Sequence, residues 1–360
     1  MTTELPIKDN KLTIKAITYQ SGYTPLTVKE LEIPVVPETI VKPTEVLVEI
    51  KATSLNPVDC ILKAFSKSWY GPKDKIIGGD FAGIVVKSGS ESGFSEGDKI
   101  YGDLLSLSAR GSFSNYALFE PKKCLIAEKI PEGLSFEHAA SLPCVSNTAF
   151  AGLKQYQGDL SGKNVLILGA GTSVGYSAVQ LAKYYFKAGN VVVTCSASSA
   201  ERASAGGADV TIDYHKGDEF KKQQILDFVK SKGKFDVIFD AVRDESVFDY
   251  FDDIVAEGGF IGQVGGSYVL DYKNIRLYNL LPSWKILKNK LSSALKLTKY
   301  KVYPVWTTPD PEYGLAIEKL VKEKKLKVVI DSVYDAYTQA NEAFDKVAAC
   351  KAKGKVILRF

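Results

Sequence analysis

The sequence predicts an α/β protein of two domains, a β-rich barrel-like domain and a doubly wound parallel sheet. Three observations carry that expectation. At 360 residues the chain is long enough for two hydrophobic cores. Its texture changes near residue 160, from short strands broken by Gly and Pro to strands alternating with helical patterns, the mark of βαβ units. The third is the stretch Lys163–Lys183, where a strand, a glycine turn and a helix follow one another.

In that stretch Val165–Leu168 is a continuous apolar run of strand length, as in a strand buried on both faces of a parallel sheet. Gly169-Ala170-Gly171-Thr172-Ser173-Val174-Gly175 follows, and Val174, Ala178, Leu181 and Ala182 then share one helical face. Such a unit opens a dinucleotide-binding domain. Small residues let the backbone approach a pyrophosphate, and the helix start offers free N–H groups and a positive dipole end. A strict G-x-G-x-x-G needs glycine at 174, where valine stands, with Gly175 one residue late.

Ahead of it, Leu12–Thr18, Glu45–Ala52, Gly83–Lys87, Lys99–Tyr101 and Tyr116–Phe119 read as strands. After it, Val191–Thr194, Val210–Ile212, Phe235–Phe239 and Gly259–Val264 are the next strands. A helix over Pro311–Glu323, a strand over Lys327–Ile330, a helix over Thr338–Cys350 and a final strand Lys355–Phe360 close the chain. The expected domains are 1–150, completed by 307–360, and 151–306.

Composition bounds the function. Hydrophobic content of 45% and charge of 24% describe a globular protein, and a net charge of +4 points to no nucleic-acid partner. Met1–Asn10 lacks the apolar core of a secretory signal, and no window reaches the roughly 18 apolar residues of a membrane span. Five scattered cysteines without a C-x-x-C pair suit a reducing, cytoplasmic setting. Only His138 and His215 exist, each expected in a surface or packing role, and no metal site is expected.

The order of motifs resembles the medium-chain dehydrogenase/reductase superfamily, in its zinc-free quinone oxidoreductase-like branch. The motifs are Ser54-Leu55-Asn56-Pro57-Val58-Asp59, Gly79-Asp80-Phe81-Ala82-Gly83, Gly97-Asp98-Lys99-Ile100-Tyr101-Gly102 and Gly206-Gly207-Ala208-Asp209 with Asp213-Tyr214. Phe235–Asp240 and Gly354-Lys355-Val356 complete the series. The resemblance implies a GroES-like barrel, a Rossmann domain and a homodimer. Within the superfamily the turn and the long insert are most similar to fungal members found around lipid droplets. Zinc-bearing relatives carry G-H-E where this chain has Gly78-Gly79-Asp80, so the histidine is missing.

An NAD site places Asp or Glu at the end of the second strand; here Thr194-Cys195-Ser196-Ala197-Ser198-Ser199 stands there. NADPH is therefore the expected cofactor. Ser196, Ser198 and Ser199 would accept its 2′-phosphate, although serines also cap helices. The resemblance implies Tyr214 and a basic residue near 198 as phosphate ligands. Ser198 replaces the basic residue, with Arg202 one turn on. Gly169, Gly171, Thr172, Ser173, Val174 and Gly175 form the pyrophosphate turn, joined by Val264 and Gly265. Thr172 and Ser173 stand where glycine is usual, narrowing the turn while offering hydroxyl donors. Asn56 and Asp59 match positions lining the nicotinamide side, with Tyr70 and Lys63 as candidate proton donors. Asp80 is expected only to fix a turn.

Between Asp271 and Asp310 there is no acidic residue but seven lysines and Arg276. A helix from Trp284 would carry residues 284, 287, 291, 294, 295 and 298 on one face, with Ile286 and Leu297 off it. Two readings follow for 284–301. It docks on an anionic membrane or lipid-droplet surface, or its apolar face covers the substrate cleft or a subunit interface.

Two functions fit these patterns. One is hydride transfer from NADPH to a small electrophilic acceptor, a quinone or an α,β-unsaturated carbonyl. The other is a cofactor-binding fold with decayed catalysis that acts at a lipid surface. A short-chain dehydrogenase is excluded, because no tyrosine has lysine four residues later.

Overall fold

The computed structural model describes residues 4–69, 71–104, 110–264, 271–276 and 281–360. Tyr70 and Gly265, both named above as site residues, lie outside them. The chain forms two compact units. One comprises 1–144, 270–275 and 328–360, the other 145–269 and 276–327.

The second unit is a six-stranded, all-parallel sheet. Its strands are β1 (Asn164–Leu168), β2 (Asn190–Cys195), β3 (Val210–Asp213), β4 (Phe235–Asp240), β5 (Val255–Val264) and β6 (Lys301–Val305). They lie side by side in the order β3-β2-β1-β4-β5-β6. This is the doubly wound order, whose direction reverses beside the first strand, where such sheets bind ligands. Val165, Leu166, Ile167 and Leu168 are fully buried, as a strand covered on both faces must be. The helices that bear on function are α1 (Ser173–Gln180), α2 (Ala197–Ala205) and α3 (Trp284–Ala294).

The helix Pro311–Lys322 also packs in this unit, whereas the expected boundaries put 307–360 in the first domain. Its Tyr313 is buried against Phe150, with its hydroxyl 2.7 Å from that of Ser146. Residues 307–327 thus complete the second unit's core.

The first unit holds a seven-stranded sheet and a four-stranded one. Strand Val46–Leu55 runs through the middle of the larger sheet, paired antiparallel with Asp80–Ser88, Tyr116–Phe119 and the C-terminal strand Lys355–Arg359. Registers here matter for chemistry. Thr53 faces Phe81 and Leu55 faces Val356, so Asp80 and Lys355 are delivered to the end of one strand from positions 275 residues apart. The strand expected at Lys327–Ile330 instead runs over Ile330–Asp335, parallel to Lys355–Arg359. Val328–Ile330 is locally apolar, but pairing with the C-terminal strand sets the boundaries. None of the five cysteines forms a disulfide.

Candidate functional site

Two groups of residues stand out, one in each unit. In the second unit the turn after β1 is shaped by close approach. Gly169 has φ +89°, and a Cβ there would lie 2.2 Å from the Val242 side chain. Its N–H donates to the carbonyl and the hydroxyl of Thr194 on β2, which ties the turn to the neighbouring strand. A Cβ on Gly175 would lie 2.2 Å from the carbonyl oxygen of Gly169. The late glycine is therefore needed where α1 packs closest to the turn, the part a third glycine plays in a dinucleotide fingerprint.

Thr172 caps α1. Its hydroxyl oxygen accepts from Gly175 N–H at 2.9 Å and its proton goes to the Gly169 carbonyl. The expectation that this hydroxyl serves the pyrophosphate is corrected, because both its bonds close the turn on itself. The N–H groups of Ser173 and Val174, at the first two helical positions, have no partner within the helix by construction. Gly171 and Thr172 are exposed, so the turn opens to solvent.

Arg202 completes this group. Its guanidinium donates to the Gly171 carbonyl at 2.8 Å and lies over the Tyr176 ring, 5.3 Å from the centroid. A basic side chain thus stands beside this turn, reaching it from one turn past Ser198 along α2. Ser196, Ser198 and Ser199 bring their hydroxyls together, at 3.0 Å and 3.2 Å from that of Ser196. Ser196 precedes α2 without its side chain capping it, so the hydroxyls are not consumed by the helix start. Ser199 is also close to the turn, 3.2 Å from where a Cβ on Gly171 would be. Tyr214 follows Asp213, which is paired with Cys195, so Ser196 and Tyr214 leave adjacent strands at the same end. Tyr214 is half exposed there. Val264 ends β5.

Asp240, at the end of β4, was not singled out from the sequence. It is buried and accepts N–H bonds from Val242 and Asp244 and an amide bond from Gln263. Burial pushes its carboxyl up to about 6.

In the first unit the hub is Asp80. Its Oδ2 accepts from Ser54 Oγ at 2.7 Å and Asn56 Nδ2 at 2.8 Å, with Lys355 Nζ 3.3 Å away; its Oδ1 accepts from Cys144 N–H at 2.9 Å. Lys355 Nζ also donates to Asn56 Oδ1 at 2.5 Å. Asp80 is fully buried and Lys355 nearly so. The modest turn role expected for Asp80 is corrected: it is the acceptor on which four groups converge. In the sequence Lys355 stands only as a member of the Gly354-Lys355-Val356 motif, with no role of its own. The signal for it is a lysine heading the apolar run Val356-Ile357-Leu358, all three of which are fully buried.

Asp59 adjoins this cluster from the helix Pro57–Phe65. Its Oδ2 accepts from Asn56 N–H at 2.8 Å, while Oδ1 has no hydrogen-bond partner. Burial above all, with the like charges of Asp80 and Asp103 adding to it, raises its carboxyl from the ordinary 3.8 to about 8. Between those values folding takes up a proton, so this group's stabilisation is complete below pH 4 and is lost as pH rises toward 8. Asp59→Asn should flatten that part of the stability–pH profile. The difference in slope should reach about 1.4 kcal/mol per pH unit in urea titrations. Identical slopes for the two proteins would contradict a neutral Asp59.

Lys63 has other partners. Its ammonium donates to the Gly22 carbonyl and sits over the rings of Tyr19 and Phe344. His138 bonds Ser135 at a helix start and His215 lies edge-on to Tyr214, both exposed. Among the described residues no three His, Cys, Asp or Glu side chains gather as a metal site would require. At the position where zinc-bearing relatives carry histidine, a Cβ on Gly79 would fall 2.5 Å from Asp103 Oδ1.

Residues 42–131 match the alcohol dehydrogenase GroES-like domain and residues 206–358 the zinc-binding dehydrogenase family. Protein YIM1 of Saccharomyces cerevisiae is 31% identical, covering 98% of this chain and 100% of its own. The chain belongs to the medium-chain dehydrogenase/reductase superfamily, in its quinone oxidoreductase-like branch. Among solved structures it is similar to the quinone oxidoreductase from Coxiella burnetii, with a TM-score of 0.71, 23% identity and 97% and 99% of the two chains covered. An alcohol dehydrogenase superfamily protein from Novosphingobium aromaticivorans gives 0.76 at 22% identity, covering 97% and 100%. The two units are therefore the GroES-like and Rossmann-like domains of an oxidoreductase family whose fold implies a nicotinamide cofactor.

Proposed function

We propose that this protein is a zinc-free, NADPH-dependent reductase of small electron-poor acceptors, quinones or α,β-unsaturated carbonyls. The observation that carries the cofactor choice is the placement of Arg202 beside the Gly171 carbonyl, next to three serine hydroxyls and with no acid among Thr194–Ser199. A guanidinium and hydroxyl donors suit a 2′-phosphate, whereas the diol of NADH calls for a carboxylate acceptor. The turn Gly169–Gly175 would take the pyrophosphate, with the Ser173 and Val174 N–H groups aimed at it.

The zinc-free reading rests on Asp80 and Lys355. A cation is already present in the cluster as the Lys355 ammonium, and both oxygens of Asp80 are engaged. A bound nicotinamide supplies the hydride. The chain must then supply a proton to the reduced acceptor, and Asp59 holds one at neutral pH on a buried carboxyl. The acceptor class is suggested by the quinone oxidoreductase from Coxiella burnetii.

The direct test is NADPH oxidation with a panel of quinones and enals. Turnover above the rate of free NADPH with the same acceptor is expected. A rate no greater than that background sinks the enzyme reading and leaves a cofactor-binding protein with decayed catalysis.

A further inference from the structure

The second unit carries an apolar surface that its own fold does not use. Helix α3 is capped by Ser283, whose hydroxyl accepts from Ile286 N–H, and is pinned by one buried side chain, Ile286. Ser293 holds the other end, accepting from Val302 N–H on β6 at 3.0 Å. At 100° per residue Ile286 and Ser293 face the same way, and Trp284, Leu291 and Leu295 point opposite, with Leu287 at the margin. These four are exposed by 76%, 59%, 60% and 46%. The stripe expected from sequence is therefore present but turned to solvent, and the residue expected off the stripe is the one that anchors the helix. Lys296, in a left-handed conformation, ends the helix, and the next residue, Leu297, is 74% exposed.

Soluble proteins rarely leave contiguous apolar side chains exposed unless they meet a partner. Charge selects among partners. The face is rimmed by Lys285, Lys288, Lys296 and Lys299, and no acid occurs between Asp271 and Asp310. Lys285 and Lys299 pair across exposed surface with Asp249 and Glu257, contacts weak enough for another anion to displace. Lys288 and Lys296 make no ion pair among the described residues. In a two-fold dimer through this face the same patch meets itself, which sets these lysines against one another. Packing against a second copy is thus disfavoured by the feature that favours an anionic layer. No helix among the described residues is long and apolar enough to cross a membrane, so the contact would lie in the interface plane.

We infer that α3 docks the protein on an anionic lipid surface, with Trp284, Leu287, Leu291 and Leu295 entering the acyl boundary and the lysines meeting phosphate headgroups. The inference is independent of the redox reading, since none of these residues belongs to the cofactor turn or the Asp80 cluster.

Flotation of the full chain with vesicles of phosphatidylcholine containing 30% phosphatidylserine tests it, alongside pure phosphatidylcholine. Binding is expected to the anionic vesicles alone, reduced at least fivefold by 0.5 M salt and at least tenfold by Leu291→Asp. Leu291 is exposed, so the fold should tolerate Leu291→Asp; an unchanged thermal transition checks this. Absence of wild-type binding, or equal binding by Leu291→Asp, overturns the inference. If Leu291→Asp instead abolishes concentration-dependent self-association, measured by sedimentation, while vesicle binding is absent, the face belongs to a second copy.

Discussion

Replacing Lys355 by Met should lower stability by about 3–5 kcal/mol, because it leaves the Asp80 carboxylate buried without its cation. The same change removes the donor to Asn56 Oδ1, so the amide loses one of its two anchors. In a domain of this size the loss corresponds to a fall on the order of 10 °C in the thermal transition. The magnitude comes from asymmetry rather than from the attraction itself. A buried ion pair gains little net energy, but half of one is expensive. Combining Lys355→Met with Asp80→Asn should therefore recover most of the loss, since the neutral amide needs no counter-charge and keeps an acceptor for Cys144 N–H. The double-mutant cycle gives the coupling directly. A stability within about 0.5 kcal/mol of wild type for Lys355→Met would show that Asp80 does not depend on it.

The second large effect is on cofactor choice. Arg202→Ala should weaken NADPH binding by about 10- to 150-fold, the loss of one or two charge-assisted hydrogen bonds to a phosphate. NADH has no 2′-phosphate, so its affinity should change less than about threefold on the same scale. Calorimetry with both nucleotides on both proteins reads the ratio. The control is built into the geometry, because Arg202 also donates to the Gly171 carbonyl. If NADPH and NADH weaken together, Arg202 supports the turn and does not read the phosphate, and the NADPH assignment falls. High salt should narrow the preference for NADPH in wild type and leave Arg202→Ala largely unaffected.

Much of the cofactor domain was legible because its signals are local. A buried parallel strand needs a continuous apolar run, and Val165–Leu168 is one. A strand-to-helix turn that meets neighbouring chain needs glycine, and Gly169 and Gly175 are where a Cβ would collide. Arg202 was within reach of sequence as a helical turn from Ser198, though only the fold shows its guanidinium at Gly171. On α3 the period of the apolar stripe was readable, but its direction was not. Both faces carry apolar side chains, and the anchor turned out to be the lone Ile286. Periodicity says which residues share a face; it does not say which face meets the core.

The fold class, the glycine turn, the hydroxyl-rich loop without an acid and the basic insert can all be read along the chain, because each shows in residues within one or two turns of each other. What Asp80, Asn56, Asp59 and Lys355 do together follows only from how the strands pair. Strand pairing sets their meeting: Val46–Leu55 is flanked by strands that begin at residues 80 and 355, and the registers bring their ends to one buried point. Burial then converts an ordinary aspartate into an acid that keeps its proton to about pH 8, and an ordinary lysine into the counter-charge of a carboxylate removed from water. Those properties belong to the loss of solvent around the groups, which no stretch of sequence carries on its own.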